Sequence, residues 1–105
     1  MAYILRPYRR VPVVTPVTYE HWSRQGQGTV WNLSSTGWRL SGNLPLTCGD
    51  VCSLNVELPT YKPITVAAGI VRWVRGEDYG IETLLMERTA LAHLHEYIQA
   101  RMREL

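Results

Sequence analysis

The residues best equipped for chemistry stand at the start of the chain. Arg6-Pro7-Tyr8-Arg9-Arg10 sets three guanidiniums around one aromatic ring. Each guanidinium is a rigid planar fork that fits phosphate oxygens or the O6/N7 edge of guanine. Such an arm suits an anionic, nucleotide-like partner, although a charged terminus can also be a plain solvated tail. A second group follows at Asn32-Leu33-Ser34-Ser35-Thr36-Gly37. In an extended strand Asn32 and Ser34 share parity, so an amide and a hydroxyl point to one face, where they can meet the donors and acceptors of a base edge. Gly37 supplies either a positive φ or a missing side chain where a ligand nears the backbone. By itself this segment also reads as an ordinary strand turn.

Other chemistries find less support. A nucleophile needs a base within hydrogen-bond reach and a third group to orient it. The histidines are His21, His93 and His95, and on a helix the last two project about 160° apart, so they cannot serve one site. No enzyme is expected. Cys48 and Cys52 lack a second close pair of ligands for a structural zinc and are too few for a disulfide scaffold, so both are read as free thiols with no metal and no cofactor.

The charge distribution singles out the arm. The formal net charge is only +2, yet Arg6, Arg9 and Arg10 are the only charged side chains among the first ten residues. The remainder of the chain is close to neutral, so the basic excess is local. At 105 residues the chain is one small domain, and 46% hydrophobic against 19% charged residues fits a folded protein. No apolar run reaches the roughly 18 to 20 residues of a membrane-spanning helix, and Met1 to Arg10 lacks the apolar core of a secretory signal. A reducing cytoplasm is the expected setting.

The elements that must position these groups follow from the pattern. Val11 to Trp22 is strand-like, but Pro12 and Pro16 make it an edge strand or one that becomes regular only after Pro16. Gln25 to Gly28 reads as a turn, and Thr29 to Leu33 and Trp38 to Leu40 are short strands joined at Ser34 to Gly37. After a loop over Asn43 to Asp50, Leu54, Val56 and Leu58 alternate with polar residues as in a half-buried strand. Ile64 to Val74 changes parity midway, which predicts a bulge near Ala68-Gly69. A polar hairpin over Arg75 to Asp78 and a strand over Tyr79 to Leu85 complete about six strands, which predicts a small antiparallel β-barrel. Leu91, Leu94, Ile98, Met102 and Leu105 then fall within an arc of about 80°, so Glu87 to Glu104 is an amphipathic helix. Its stripe can cover a barrel mouth, or it can pair with a partner or a second copy.

In combination, Arg6-x-x-x-Arg10 and Asn32-x-Ser34-x-x-Gly37 resemble the signature of PilZ domains, bacterial receptors for cyclic di-GMP. The flanks are similar too: apolar Val11 to Val14, the Val71-x-Trp73 strand, Tyr79-Gly80-Ile81 and the C-terminal helix. Two positions depart from the common pattern, Asn32 where Asp is frequent and Thr83 where Phe is frequent. The resemblance implies a six-stranded barrel over residues 11–86, a flexible arm over 1–10, a helix over 87–105, and a ligand held between arm and barrel. It further implies that Arg6 and Arg10 clamp phosphates and guanine edges with Arg9 as an auxiliary contact, and that Asn32 and Ser34 bond a guanine while Gly37 lets it approach. Trp73 is a candidate stacking platform, with a plain core tryptophan as the other reading. Leu5 stands where one more guanidinium could have held a second ligand, so one ligand per chain is expected. A lone receptor of this kind signals by docking on an effector protein, as a monomer or a weak dimer through its helix. The rival readings are a small β-barrel that grips single-stranded nucleic acid, and a PilZ-like adaptor that no longer binds ligand.

Overall fold

The structure is a computed structural model that describes residues 10–59 and 62–104. Arg6 and Arg9, and with them most of the expected arm, lie outside the described residues, as do Tyr61 and Leu105.

Six strands form a closed antiparallel barrel: β1 (Val11–His21), β2 (Arg24–Leu33), β3 (Gly37–Gly42), β4 (Val51–Val56), β5 (Ile64–Arg75) and β6 (Asp78–Leu85), with ring order β1-β2-β3-β6-β5-β4. Closure removes the open edges that a six-stranded sheet would expose. Period-two alternation decides what fills the barrel. Val11, Val13, Val17 and Tyr19 of β1 point inward, as do Trp38 and Leu40 of β3, Leu54 and Val56 of β4, and Ile64 and Val66 of β5.

The loop between β3 and β4 seals one mouth. Leu44 and Leu46 are buried, and the Tyr19 hydroxyl accepts the Leu44 N–H (2.9 Å) and donates to the Leu44 carbonyl (2.8 Å). Tyr79 meets Tyr19 edge-on at 6.5 Å, and its hydroxyl accepts the Leu46 N–H at 3.3 Å. The helix α1 (Arg88–Glu104) packs near the other end of β1, where Arg101 donates to the Pro12 carbonyl at 3.0 Å. Leu94 and Ile98 of the predicted stripe are buried together with Tyr97, so the apolar face is used against the barrel.

One expectation needs revision, and one of the two readings of β1 holds. The first turn is not at Gln25 to Gly28: β1 ends at His21, Trp22 takes a left-handed conformation (φ 58°), and β2 begins at Arg24. The glycines there serve packing instead. A Cβ on Gly26 would press into the Tyr19 ring and Leu44, and one on Gly28 would overlap the Ser41 backbone. The prolines do not leave β1 as an edge either. It pairs with β2 from Val11 onward and gains β4 as a second neighbour at Val17, so its two-sided pairing does start after Pro16. The bulge expected near Ala68-Gly69 is present, and β5 has a further register shift between Val71 and Trp73.

Candidate functional site

Arg10, the last residue of the arginine motif, and the Asn32 to Gly37 segment, remote in sequence, meet on the outer face of the barrel. Arg10 precedes the first residue of β1, and Val11 pairs with Leu33 of β2. This register brings the Arg10 guanidinium over the Asn32 to Gly37 segment, where its Nη1 donates to Asn32 Oδ1 at 2.9 Å. Asn32 in turn pairs with Arg39 of β3, Arg39 with Gly80 of β6, and Gly80 with Trp73 of β5. One transverse row thus runs Asn32, Arg39, Gly80, Trp73 across four strands.

Beside this row lies a groove of about 420 Å³, lined by Arg10, Gly37, Arg72, Trp73, Gly80 and Glu82 among others. Two of its lining residues are glycines and contribute no side chains. At Gly80 the space is taken by the Trp73 indole, which a Cβ would overlap. At Gly37 a Cβ would stand 3.2 Å from Arg10 Nη2 and 3.5 Å from the Ile81 carbonyl. Gly37 does not have a positive φ, so of the two roles open to it the missing side chain is the one that matters.

The turn at residues 34–37 is held from within. Ser34 is buried at 2% exposure, and its Oγ accepts the Gly37 N–H at 3.0 Å and donates to the Gly37 carbonyl at 3.2 Å. Its hydroxyl therefore faces its own turn, while Asn32 faces Arg10. Thr83, at the position where Phe is frequent, ties β6 to this turn through its N–H to the Thr36 carbonyl at 2.9 Å and its hydroxyl to the Ser35 carbonyl.

Trp73 is not a core tryptophan. Val71 is fully buried, and unbroken alternation would have turned Trp73 inward as well, but the register shift between them leaves Trp73 39% exposed. The Arg75 guanidinium lies 5.8 Å from the Trp73 ring centroid, a cation–π distance. Arg39 bonds Asp78 at 3.1 Å, and the Arg72 Nε donates to Glu82. Among the residues that line the groove, the charged side chains are Arg10, Arg72 and Glu82.

Arg72, Glu82 and Gly80 were not expected at the site from the sequence. A signal for Gly80 existed, since counting back through the Arg75 to Asp78 hairpin puts Gly80 opposite Trp73. The bulge that exposes Arg72 and Trp73 together had none beyond the parity conflict in β5. Elsewhere, Cys48 is exposed and Cys52 buried, both free, and burial pushes the Cys52 thiol up to about 11. Among the described residues no cluster of three or more potential metal ligands occurs, and no helix is long and apolar enough to cross a membrane.

Comparison with known proteins relates this geometry to a family. The PilZ domain model matches residues 4–100. No curated protein matches the chain, whereas 15 chains of solved structures do. The structure of the Bacillus subtilis inhibitor of motility (MotI/DgrA) superposes with a TM-score of 0.78 at 18% identity, covering 98% of this chain and 54% of that one. The chain therefore spans about half the length of that protein. A PilZ domain of CeSA from a cellulose-synthesizing bacterium gives a TM-score of 0.64 at 14% identity, covering 91% of this chain and 97% of that one.

Proposed function

The chain belongs to the PilZ domain family, a family of ligand-binding adaptors, and from that premise we propose that it is a cyclic di-GMP receptor. The observation that supports this reading is the contact of Arg10 with the second motif: its guanidinium sits on Asn32 and beside Gly37 at the rim of a groove whose far wall is an exposed tryptophan. A guanine fits the space between them. Arg10, with five donors of which one is committed to Asn32, grips phosphate oxygens or the guanine O6/N7 edge. Asn32 offers its amide N–H groups to the base, and Ser34 acts through the turn it closes, which presents Gly37. Trp73 stacks on the ring, a contact worth on the order of 1–3 kcal/mol.

Arg6 and Arg9 complete the clamp from the N-terminal side. Ligand binding fixes the arm against the barrel, and the altered surface is what an effector protein reads. Leu5 stands where a further guanidinium could have held a second ligand, so the chain takes one ligand.

Calorimetry with cyclic di-GMP on the purified chain tests the proposal. The expected result is saturable binding at one ligand per chain, with single-stranded oligonucleotides much weaker. Arg10→Ala is expected to lower affinity about ten- to hundredfold, the range for a lost charge-assisted contact, without changing the melting temperature. Arg6→Ala should behave alike. Amide exchange over residues 2–9 should slow when ligand is added. Wild-type affinity in both arginine variants would remove the site assignment.

A further inference from the structure

We infer that Arg72 is a second ligand-gripping guanidinium, facing Arg10 across the glycine floor, and that Glu82 is the positioning residue that aims it. The inference rests on the groove being the cyclic di-GMP site and extends it to the opposite wall. Arg72 belongs to neither of the motifs that carry the family resemblance.

The backbone is built to put Arg72 there. On β5, Val71 pairs with Ile81 and Trp73 with Gly80, and Arg72 is the residue between them where the register shifts. A bulge turns two consecutive side chains to one side, and Arg72 and Trp73 are indeed both exposed and both line the groove. The bulge is also braced. The Val71 N–H donates to the Asp50 carbonyl at 2.9 Å, the Gly49 N–H to the Val71 carbonyl at 2.8 Å, and the Cys48 thiol to the Arg72 carbonyl at 3.1 Å. A backbone fixed by three contacts to the residue 48–50 loop presents a preorganised cation.

Glu82 sets its direction. It stands directly opposite Gly37, whose missing side chain leaves the carboxylate open to the groove. Arg72 bonds Glu82 through Nε, so both terminal NH₂ groups remain for another acceptor. With the two side chains 56% and 46% exposed, this pair adds little to stability; its effect is to hold the fork in one orientation. The ligand's chemistry completes the argument. Cyclic di-GMP carries two phosphates on one ring; with Arg10 on one, the other calls for a second cation, and of the two guanidiniums beside Trp73, Arg75 lies over the indole while Arg72 lines the groove. Arg72, adjacent to Trp73, meets that second phosphate.

The test is calorimetry with cyclic di-GMP on the full chain and five variants, Arg10→Ala among them as the reference for a lost contact. Arg72→Gln keeps most of the stem and should fold with an unchanged melting temperature, yet bind at least about tenfold more weakly. Arg72→Lys, a point charge without the fork, should recover part of that loss. Glu82→Ala should weaken binding about threefold by releasing Arg72, a loss of about 0.7 kcal/mol. Glu82→Gln, which keeps the acceptor, should bind at least as tightly as wild type. If wild type binds and Arg10→Ala fails while Arg72→Gln equals wild type, Arg72 is no contact and the receptor reading stands. Equal losses in Glu82→Ala and Glu82→Gln would remove the positioning role. If wild type does not bind at all, both readings fall.

Discussion

Glycine faces an aromatic ring on both sides of this barrel wall. Inside, Gly26 and Gly42 make room for Tyr19: a Cβ on either would run into its ring, and at Gly42 into its hydroxyl. Outside, Gly80 makes room for Trp73 in the same manner. The difference lies in the rest of the ring. Tyr19 has no exposed surface, and its hydroxyl both accepts from and donates to Leu44. Trp73 rests one part on Gly80 and leaves 39% of its surface to solvent, in a groove with Arg10 and Arg72. One packing device thus serves two ends. Enclosed, the ring is completed by the protein and contributes stability; half-open, it leaves a face for a ligand to complete.

The sharpest way to break this contrast is at Gly42. Gly42→Ala forces a methyl into a filled space against Tyr19, and overpacking of this kind costs about 2–3 kcal/mol. Urea unfolding should show that loss in full, and a loss within about 0.5 kcal/mol of zero would mean the interior is not tightly packed there. The outer counterpart is Trp73→Ala. It should lower cyclic di-GMP affinity by about 1–3 kcal/mol, and stability by about 1–2 kcal/mol, less than the roughly 3–5 kcal/mol of a fully buried tryptophan. A variant that unfolds readily but binds normally when folded would place Trp73 with the interior set.

The two cysteines repeat the contrast in their burial. Cys48 is exposed and Cys52 buried, and burial, with a smaller contribution from Asp50, raises the Cys52 thiol to about 11 from an ordinary 9.0. A folded pKa above the unfolded one means that the stability from the protonated thiol is complete below pH 9 and is lost as pH rises through 11. By pH 10 the loss from this group is about 1 kcal/mol. Burial also raises Tyr19, which acts in the same direction, so the contribution of Cys52 is read by difference. Unfolding at pH 8 and pH 10 should show a smaller drop in Cys52→Ala than in wild type, and equal drops would argue that the thiol is not held neutral. A thiol reagent at neutral pH should label Cys48 alone.

Much of the fold could be read from alternation and turn residues, because half-buried strands announce themselves at period two. Leu54 and Val56 of β4, both buried, are the clearest case, although the strand stops short of Leu58. Gly26 and Gly28 misled for a physical reason: glycine signals either an unusual φ or a close approach, and only the folded barrel shows Tyr19 and the Ser41 backbone arriving there. Trp22 carries the left-handed turn residue instead, a type with no preference for it. At the site, Arg10, Asn32 and Gly37 were legible as motif residues and lie together. The part of Ser34 that faces its own turn was not, because parity fixes a face but a turn can recruit the hydroxyl. Arg72 was hidden by the bulge, which no residue type in Val71-Arg72-Trp73 announces.

The finest test of the contrast between enclosed and open glycines is Gly37→Ala, because it should have the smallest effect of all and on one property only. Its φ is not positive, so alanine meets no backbone strain. The nearest atom to a new Cβ is Arg10 Nη2 at 3.2 Å, the far end of a flexible side chain, and the Ile81 carbonyl at 3.5 Å is ordinary contact. The fold can therefore accept the methyl by letting Arg10 move, whereas Gly42 has no such yielding neighbour. The cost reappears in binding: a guanidinium displaced by a few tenths of an ångström, and a floor raised by one methyl, should weaken cyclic di-GMP about threefold, or about 0.7 kcal/mol. Because that loss is routed partly through Arg10, it should shrink when Arg10 is already alanine, and a double-mutant cycle measures the coupling directly. An unchanged threefold loss in the Arg10→Ala background would assign the whole effect to the floor, and a loss of stability instead would make Gly37 another interior glycine.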